Sequence, residues 1–99
     1  MFMLHGRLGA KPGKRDQLLK ILTDGETAAP IPGCRLYVIA IDETDDEGVW
    51  VTEIWESESD HTASLQRDEV RERIAQAMAL VDVSGRRKQR LDALTGIPE

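Results

Sequence analysis

The sequence predicts an α+β fold of the ferredoxin-like type, a β-α-β-β-α-β sandwich. Three observations carry that prediction. Runs rich in β-branched and aromatic residues occupy residues 35–41 and 49–55. Apolar residues at helical spacing occur once before this pair and once after it. Turn signals built on Gly, Pro, Asp and Ser separate the segments in an order that leaves a strand at each end.

Each element has its own basis. Residues 2–8 alternate loosely as a strand and stop at Gly9 and the Pro12-Gly13 turn signal. Residues 14–23 read as a helix, in which Leu18, Ile21 and Leu22 form the stripe and Lys14, Arg15 and Lys20 lie largely outside it. Gly25 and then Pro30-Ile31-Pro32-Gly33 break it. Residues 35–41 and 49–55 form a hairpin about the acidic turn at residues 42–48. Ser57-Glu58-Ser59-Asp60 has the spacing of a capping box, with Ser57 or Ser59 as the cap. A long helix follows to about Val83, with Leu65, Ile74, Met78 and Val81 among its apolar positions. Gly85 ends it, and residues 89–94 form a short last strand before the Gly96-Ile97-Pro98 tail.

The two central strands carry more apolar surface than this topology covers. Between Leu36 and Ile41 both strand parities are apolar, and between Val49 and Trp55 they nearly are. A half-solvated antiparallel sheet alternates apolar with polar, and two helices cover only one of its faces. A second copy of the chain covering the other face is the economical solution, so the sequence predicts a homodimer joined through the sheet face.

Length and composition bound the rest. The 99 residues are 40% hydrophobic and 31% charged, which suits one domain over residues 1–99 and excludes disorder. No apolar run reaches the roughly 18 residues of a membrane span. The opening Met1-Phe2-Met3-Leu4-His5-Gly6-Arg7 lacks the basic region and long apolar stretch of a signal peptide. A lone cysteine, Cys34, suits the reducing cytoplasm. The formal net charge of −5 argues against a nucleic-acid partner. Nine acidic residues and no basic one fall between Asp42 and Asp60, whereas Arg86-Arg87-Lys88-Gln89-Arg90 is a dense basic patch. That patch reads as a solvated strand edge or an intersubunit charge partner in preference to an RNA or phosphate contact.

Several segments in order resemble the antibiotic biosynthesis monooxygenase family. They are Gly6-Arg7-Leu8 through Lys11-Pro12-Gly13-Lys14, Pro32-Gly33-Cys34-Arg35-Leu36-Tyr37-Val38, and Trp50-Val51-Thr52-Glu53-Ile54-Trp55-Glu56-Ser57. His61-Thr62-Ala63-Ser64-Leu65, Glu69-Val70-Arg71 and Leu80-Val81 continue the likeness, which spans essentially the whole chain. The resemblance implies a dimeric α+β barrel. It implies a monooxygenase that oxidises a small planar aromatic, such as a quinol, anthrone or polyketide-type phenol, with dioxygen and without flavin, haem or metal. A non-redox isomerase or cyclase on the same scaffold and a non-catalytic binding protein are the alternatives. Haem degradation fits poorly: the chain has no Asn, and Arg71 stands where the haem-degrading relatives would carry their histidine ligand.

Oxygenation without a cofactor needs an apolar pocket, a base and exclusion of water. His61 is the leading candidate base, since a helix N-terminus beside it favours neutral imidazole; an exposed or capping histidine is the alternative. By resemblance, Trp55 borders the substrate, where an indole can stack and donate a hydrogen bond; plain core packing is the alternative. Glu53 shares a strand face with Val51 and Trp55 and either orients His61, acts as base, or makes a structural pair. Trp50, of opposite parity, is assigned to the dimer face. His5, Tyr37, Leu65 and Met78 complete the candidate substrate-binding set. His5, and Arg7 of the same parity, line either the pocket or a subunit seam, and Tyr37 is either a pocket hydroxyl or a packed strand tyrosine. His5, Cys34 and His61 have no metal-ligand spacing, and Cys34 is expected to be a small buried turn residue.

Overall fold

A computed structural model describes residues 1–23 and 31–98. Strand β1 (Phe2–Ala10), helix α1 (Arg15–Thr23), strands β2 (Cys34–Ile41) and β3 (Gly48–Trp55), helices α2 (Glu58–Ser64) and α3 (Asp68–Met78) and strand β4 (Val81–Asp92) follow in order. The four strands form one antiparallel sheet in the order β2-β3-β1-β4, the ferredoxin-like arrangement the sequence predicts. No described helix is long and apolar enough to cross a membrane. Of the predicted breakers after α1, Gly25 and Pro30 lie outside the described residues.

Register sorts the strand side chains onto two faces. Phe2, Leu4, Gly6 and Leu8 of β1 stand beside Trp55, Glu53, Val51 and Val49 of β3, and this row faces the helices. Met3, His5 and Arg7 stand beside Ile54, Thr52 and Trp50 on the opposite, outer face. That outer face also carries Leu36 and Val38 of β2 and Leu91 of β4. Val38 and Leu91 are both exposed.

The second half departs from the predicted single helix. Leu65 caps the end of α2, and Arg67 takes an extended conformation as the N-cap of α3 with no side-chain hydrogen bond. The apolar positions show why: the step from Leu65 to Val70 is five residues, which falls out of the helical period, and Val70, Ile74 and Ala77 then resume it. The helix also ends earlier than residue 83. Val81 and Val83 alternate with Asp82 and Ser84, a strand pattern, and Val81 is buried in the core. Gly85 therefore lies inside β4 and terminates no helix.

It sits in a bulge. Arg7 pairs with Arg87 and Gly9 with Asp82, so four residues of β4 loop out opposite Leu8. The Arg7 guanidinium fills this bulge, donating from Nη1 to the Gly85 carbonyl at 2.7 Å and from Nε and Nη2 to Asp45 Oδ2 at 3.2 and 2.6 Å. These bonds, Arg7 Nη2 and Nε first, hold the Asp45 carboxyl below its ordinary range. One residue thus ties β1 to β4 and to the acidic hairpin turn.

The core occupies one end of the sandwich, where Ala10, Leu18, Val49, Ala77 and Val81 pack together. Ala77 and Val81 of this core also line a cavity that extends between the helix-facing row of the sheet and helices α2 and α3.

Candidate active site

The cavity has a volume of about 660 Å³, within the range of small-molecule sites. Its floor is the helix-facing row of the sheet, and its roof includes Leu65, Val70, Ile74 and Met78. Strand β3 brings Val51, Glu53 and Trp55 into it by simple alternation. Helix α2 supplies His61 from above. Ser57 is the N-cap of α2: its hydroxyl accepts from the Asp60 backbone N–H at 3.1 Å, which settles the choice between Ser57 and Ser59. At the other end the buried Ser64 hydroxyl donates to the His61 carbonyl at 2.6 Å.

Three predicted residues converge. The Trp55 Nε1–H donates to Glu53 Oε1 at 3.1 Å, and His61 Nε2 approaches the same oxygen at 4.0 Å. The imidazole lies edge-on to the Trp55 ring at 5.4 Å and tilted against Phe2 at 5.7 Å. Trp55 is only 2% exposed, so it packs the core and holds Glu53 at the same time. Burial pushes the Glu53 carboxyl up, opposed in part by the Trp55 hydrogen bond and the charge of Lys88. Burial lowers the His61 imidazole, and Lys88 adds to the effect. Desolvation, with a neighbouring cation, thus favours the neutral ring that the sequence argument attributed to the helix N-terminus. Both groups are biased toward their uncharged forms, and a neutral imidazole can accept a proton from a substrate.

The other predicted residues divide. Tyr37 stands opposite Glu53 on β2, and Leu65 and Met78 line the roof. Burial and the Glu53 charge push the Tyr37 phenol up to about 12. The His5 ring lies on the outer face. Although the cavity reaches β1 at this residue, the ring contacts Thr52 Oγ1 through Nδ1 at 3.0 Å and stacks on Trp50 at 5.2 Å. Trp50 shares that outer face, as its parity predicts, and its Nε1–H donates to Asp42 at 3.2 Å. Cys34 is half-buried at the cavity, and burial raises its thiol. Sequence reasoning missed Lys88 and Arg73, which also line the cavity. Simple alternation from Val81 would have put Lys88 on the outer face. The bulge opposite Leu8 reverses the parity of β4 and brings Lys88 to the helix face beside Gly6, a change with no local sequence signal. Among the described residues no group of three or more His, Cys, Asp or Glu could hold a metal ion.

Comparison with known proteins agrees with this architecture. The profile of the antibiotic biosynthesis monooxygenase family matches residues 1–76. A protein from Chloroflexus aurantiacus J-10-fl, assigned as an antibiotic biosynthesis monooxygenase, shares 35% identity and superposes with a TM-score of 0.86 over 96% of this chain and 94% of its own. A protein from Deinococcus radiodurans with the same assignment shares 22% identity, with a TM-score of 0.80 over 100% of this chain and 98% of its own. SnoaB, a cofactor-independent oxygenase from Streptomyces nogalater solved in a mutant form, shares the fold at 12% identity, with a TM-score of 0.78 over 99% of this chain and 97% of its own. Among curated proteins none matches. The profile match over most of the chain, the β2-β3-β1-β4 sheet and the 35% identity lead to one assignment: this chain belongs to the antibiotic biosynthesis monooxygenase family.

Proposed function

We propose that the protein is a cofactor-independent monooxygenase acting on a small planar aromatic such as an anthrone or quinol. The observation that carries this reading is the Glu53–His61–Trp55 group set in a cavity otherwise rich in aliphatic side chains. For an anthrone the chemistry balances without an external reductant. His61 accepts a proton from the central carbon, and the resulting anion passes electrons to dioxygen. One oxygen atom remains as the new carbonyl of the quinone and the other leaves as water, with all four electrons coming from the substrate. Glu53, held by Trp55, faces the imidazolium as it forms.

The test is oxygen uptake with a panel of anthrones and hydroquinones. Turnover should consume dioxygen, and His61→Ala should lower kcat/KM by roughly 10²- to 10⁴-fold. Product formation that ignores oxygen would instead identify an isomerase or cyclase. Unchanged turnover in His61→Ala would remove the histidine from the mechanism.

The active unit in this reading is a homodimer joined through the outer sheet face, where Met3, Leu36, Val38 and Leu91 form an apolar surface beside Trp50. The lone Cys34 fits a cytoplasmic enzyme.

A further inference from the structure

The cavity's charge is opposite to that of the chain. Formal net charge is −5, yet Glu53 is the one carboxylate among the described lining residues, which include Arg7, Arg73, Arg86, Arg87 and Lys88. Arg7 is occupied by Asp45 and Gly85 in the β4 bulge. Among the described residues the other four make no ion pair and no side-chain hydrogen bond. Arg67, Arg35 and Arg90, by contrast, each pair with a nearby carboxylate. Lys11, Lys14, Lys20 and Arg71 likewise make no ion pair among the described residues but do not line the cavity, and Arg87 stands beside Arg7 on the outer row of the sheet.

Two of the four are placed over the floor. Lys88 lies on the helix face of β4 beside Gly6, which lies beside Val51. Gly6 has no side chain, and a β-carbon there would run into the Arg87 carbonyl oxygen, so the floor next to Lys88 is bare backbone. Arg73 comes from α3, on the roof side. The charge of Lys88 is felt by both Glu53 and His61, and that of Arg73 by Tyr37, so Lys88 borders the acid–base pair and Arg73 borders the Tyr37 side of the cavity.

We propose that Lys88 and Arg73 form an anion subsite, and that the aromatic ligand of this cavity carries a carboxylate on its periphery. This rests on the reading of the cavity as a site for planar aromatics. The carboxylate docks between the ammonium and the guanidinium, which leaves the ring system over Gly6 and Val51 and turns its reacting carbon toward His61. Within the basic run at residues 86–90, Lys88 is thereby a specificity element of the pocket.

The test uses probes that are already fully oxidised, so binding is read without any reaction with oxygen. Anthraquinone-2-carboxylate and its methyl ester are titrated into the intact protein by calorimetry. The acid should bind about tenfold tighter than the ester. Lys88→Met and Arg73→Met should each remove most of that difference by weakening the acid alone, while Lys14→Met, an exposed cation away from the cavity, should leave it intact. Raising salt from about 50 mM to about 500 mM should weaken the acid and spare the ester. Unchanged far-UV circular dichroism and melting temperature establish that the variants are folded. Equal affinity for acid and ester, or a preference that survives the Lys88→Met/Arg73→Met double variant, overturns the subsite and leaves the oxygenase reading standing. Binding of neither probe overturns both.

Discussion

Glu53 and His61 share one oxygen-to-nitrogen approach of 4.0 Å, but their titrations move in opposite directions. The two midpoints therefore converge, and single-residue variants are what separate the roles. If His61 accepts the substrate proton, kcat/KM falls on the acid side with a midpoint below 6.5, because burial lowers that imidazole. If Glu53 does, the midpoint lies above 4.5, because burial raises that carboxyl. The limb that disappears in His61→Gln or Glu53→Gln names the base. The Trp55 indole adds a second check. Its hydrogen bond favours the ionised carboxylate, so Trp55→Phe should raise the Glu53 midpoint further, as read from the pH profile or from carbon NMR of the carboxyl. Stability follows the same signs. Since the folded His61 titrates below its unfolded value, its neutral burial becomes a cost as pH falls from about 6.5 through the folded midpoint.

At the scale of elements, the strands were legible because alternation is a strong local signal: Glu53 and Trp55 were placed on one face and Trp50 on the other from parity alone. The helical half was less so. Leu65 and Val70 are both apolar, and only their five-residue spacing marks the break between α2 and α3. Gly85 resembles a helix stop in one dimension, and its actual role depends on Arg7, which lies far away in sequence and donates to its carbonyl. Such long-range pairing leaves no local trace. His5 illustrates the same point, because the face of an N-terminal strand is set by its register with β3 and β4. Two predictions belong here. Gly6→Ala forces a methyl group against the main chain of β4 and should destabilise the fold by about 1–3 kcal/mol in denaturant titration. Arg7→Met should lower the melting temperature at neutral pH. That deficit should shrink as pH falls below 3.8, since Asp45, held low by Arg7, loses its charge only at more acid pH.

For the whole molecule, the outer sheet face and the cavity make separate demands on one short chain. If the outer face is a subunit interface, Val38→Asp should shift the protein to monomer in sedimentation, with secondary structure retained, because Val38 is exposed within one chain. The packing inside each chain is also divided. Leu18 and Val49 are fully enclosed at one end, whereas Leu65 and Ile74 at the other are 37% and 42% exposed. Leu18→Ala should therefore cost about 2–5 kcal/mol, and Ile74→Ala less than about 1 kcal/mol. The consequence of that division is evolutionary. Partly exposed roof residues such as Leu65 and Ile74 can be exchanged with little loss of the contacts that keep the chain folded. Trp55, Ala77 and Val81 line the same cavity but are buried, so a lineage can change part of what it recognises while its scaffold persists. A saturation library of this chain should accordingly show two territories: intolerant positions around Leu18 and Val49, and permissive ones around Leu65 and Ile74 from which new ligand preferences can be selected.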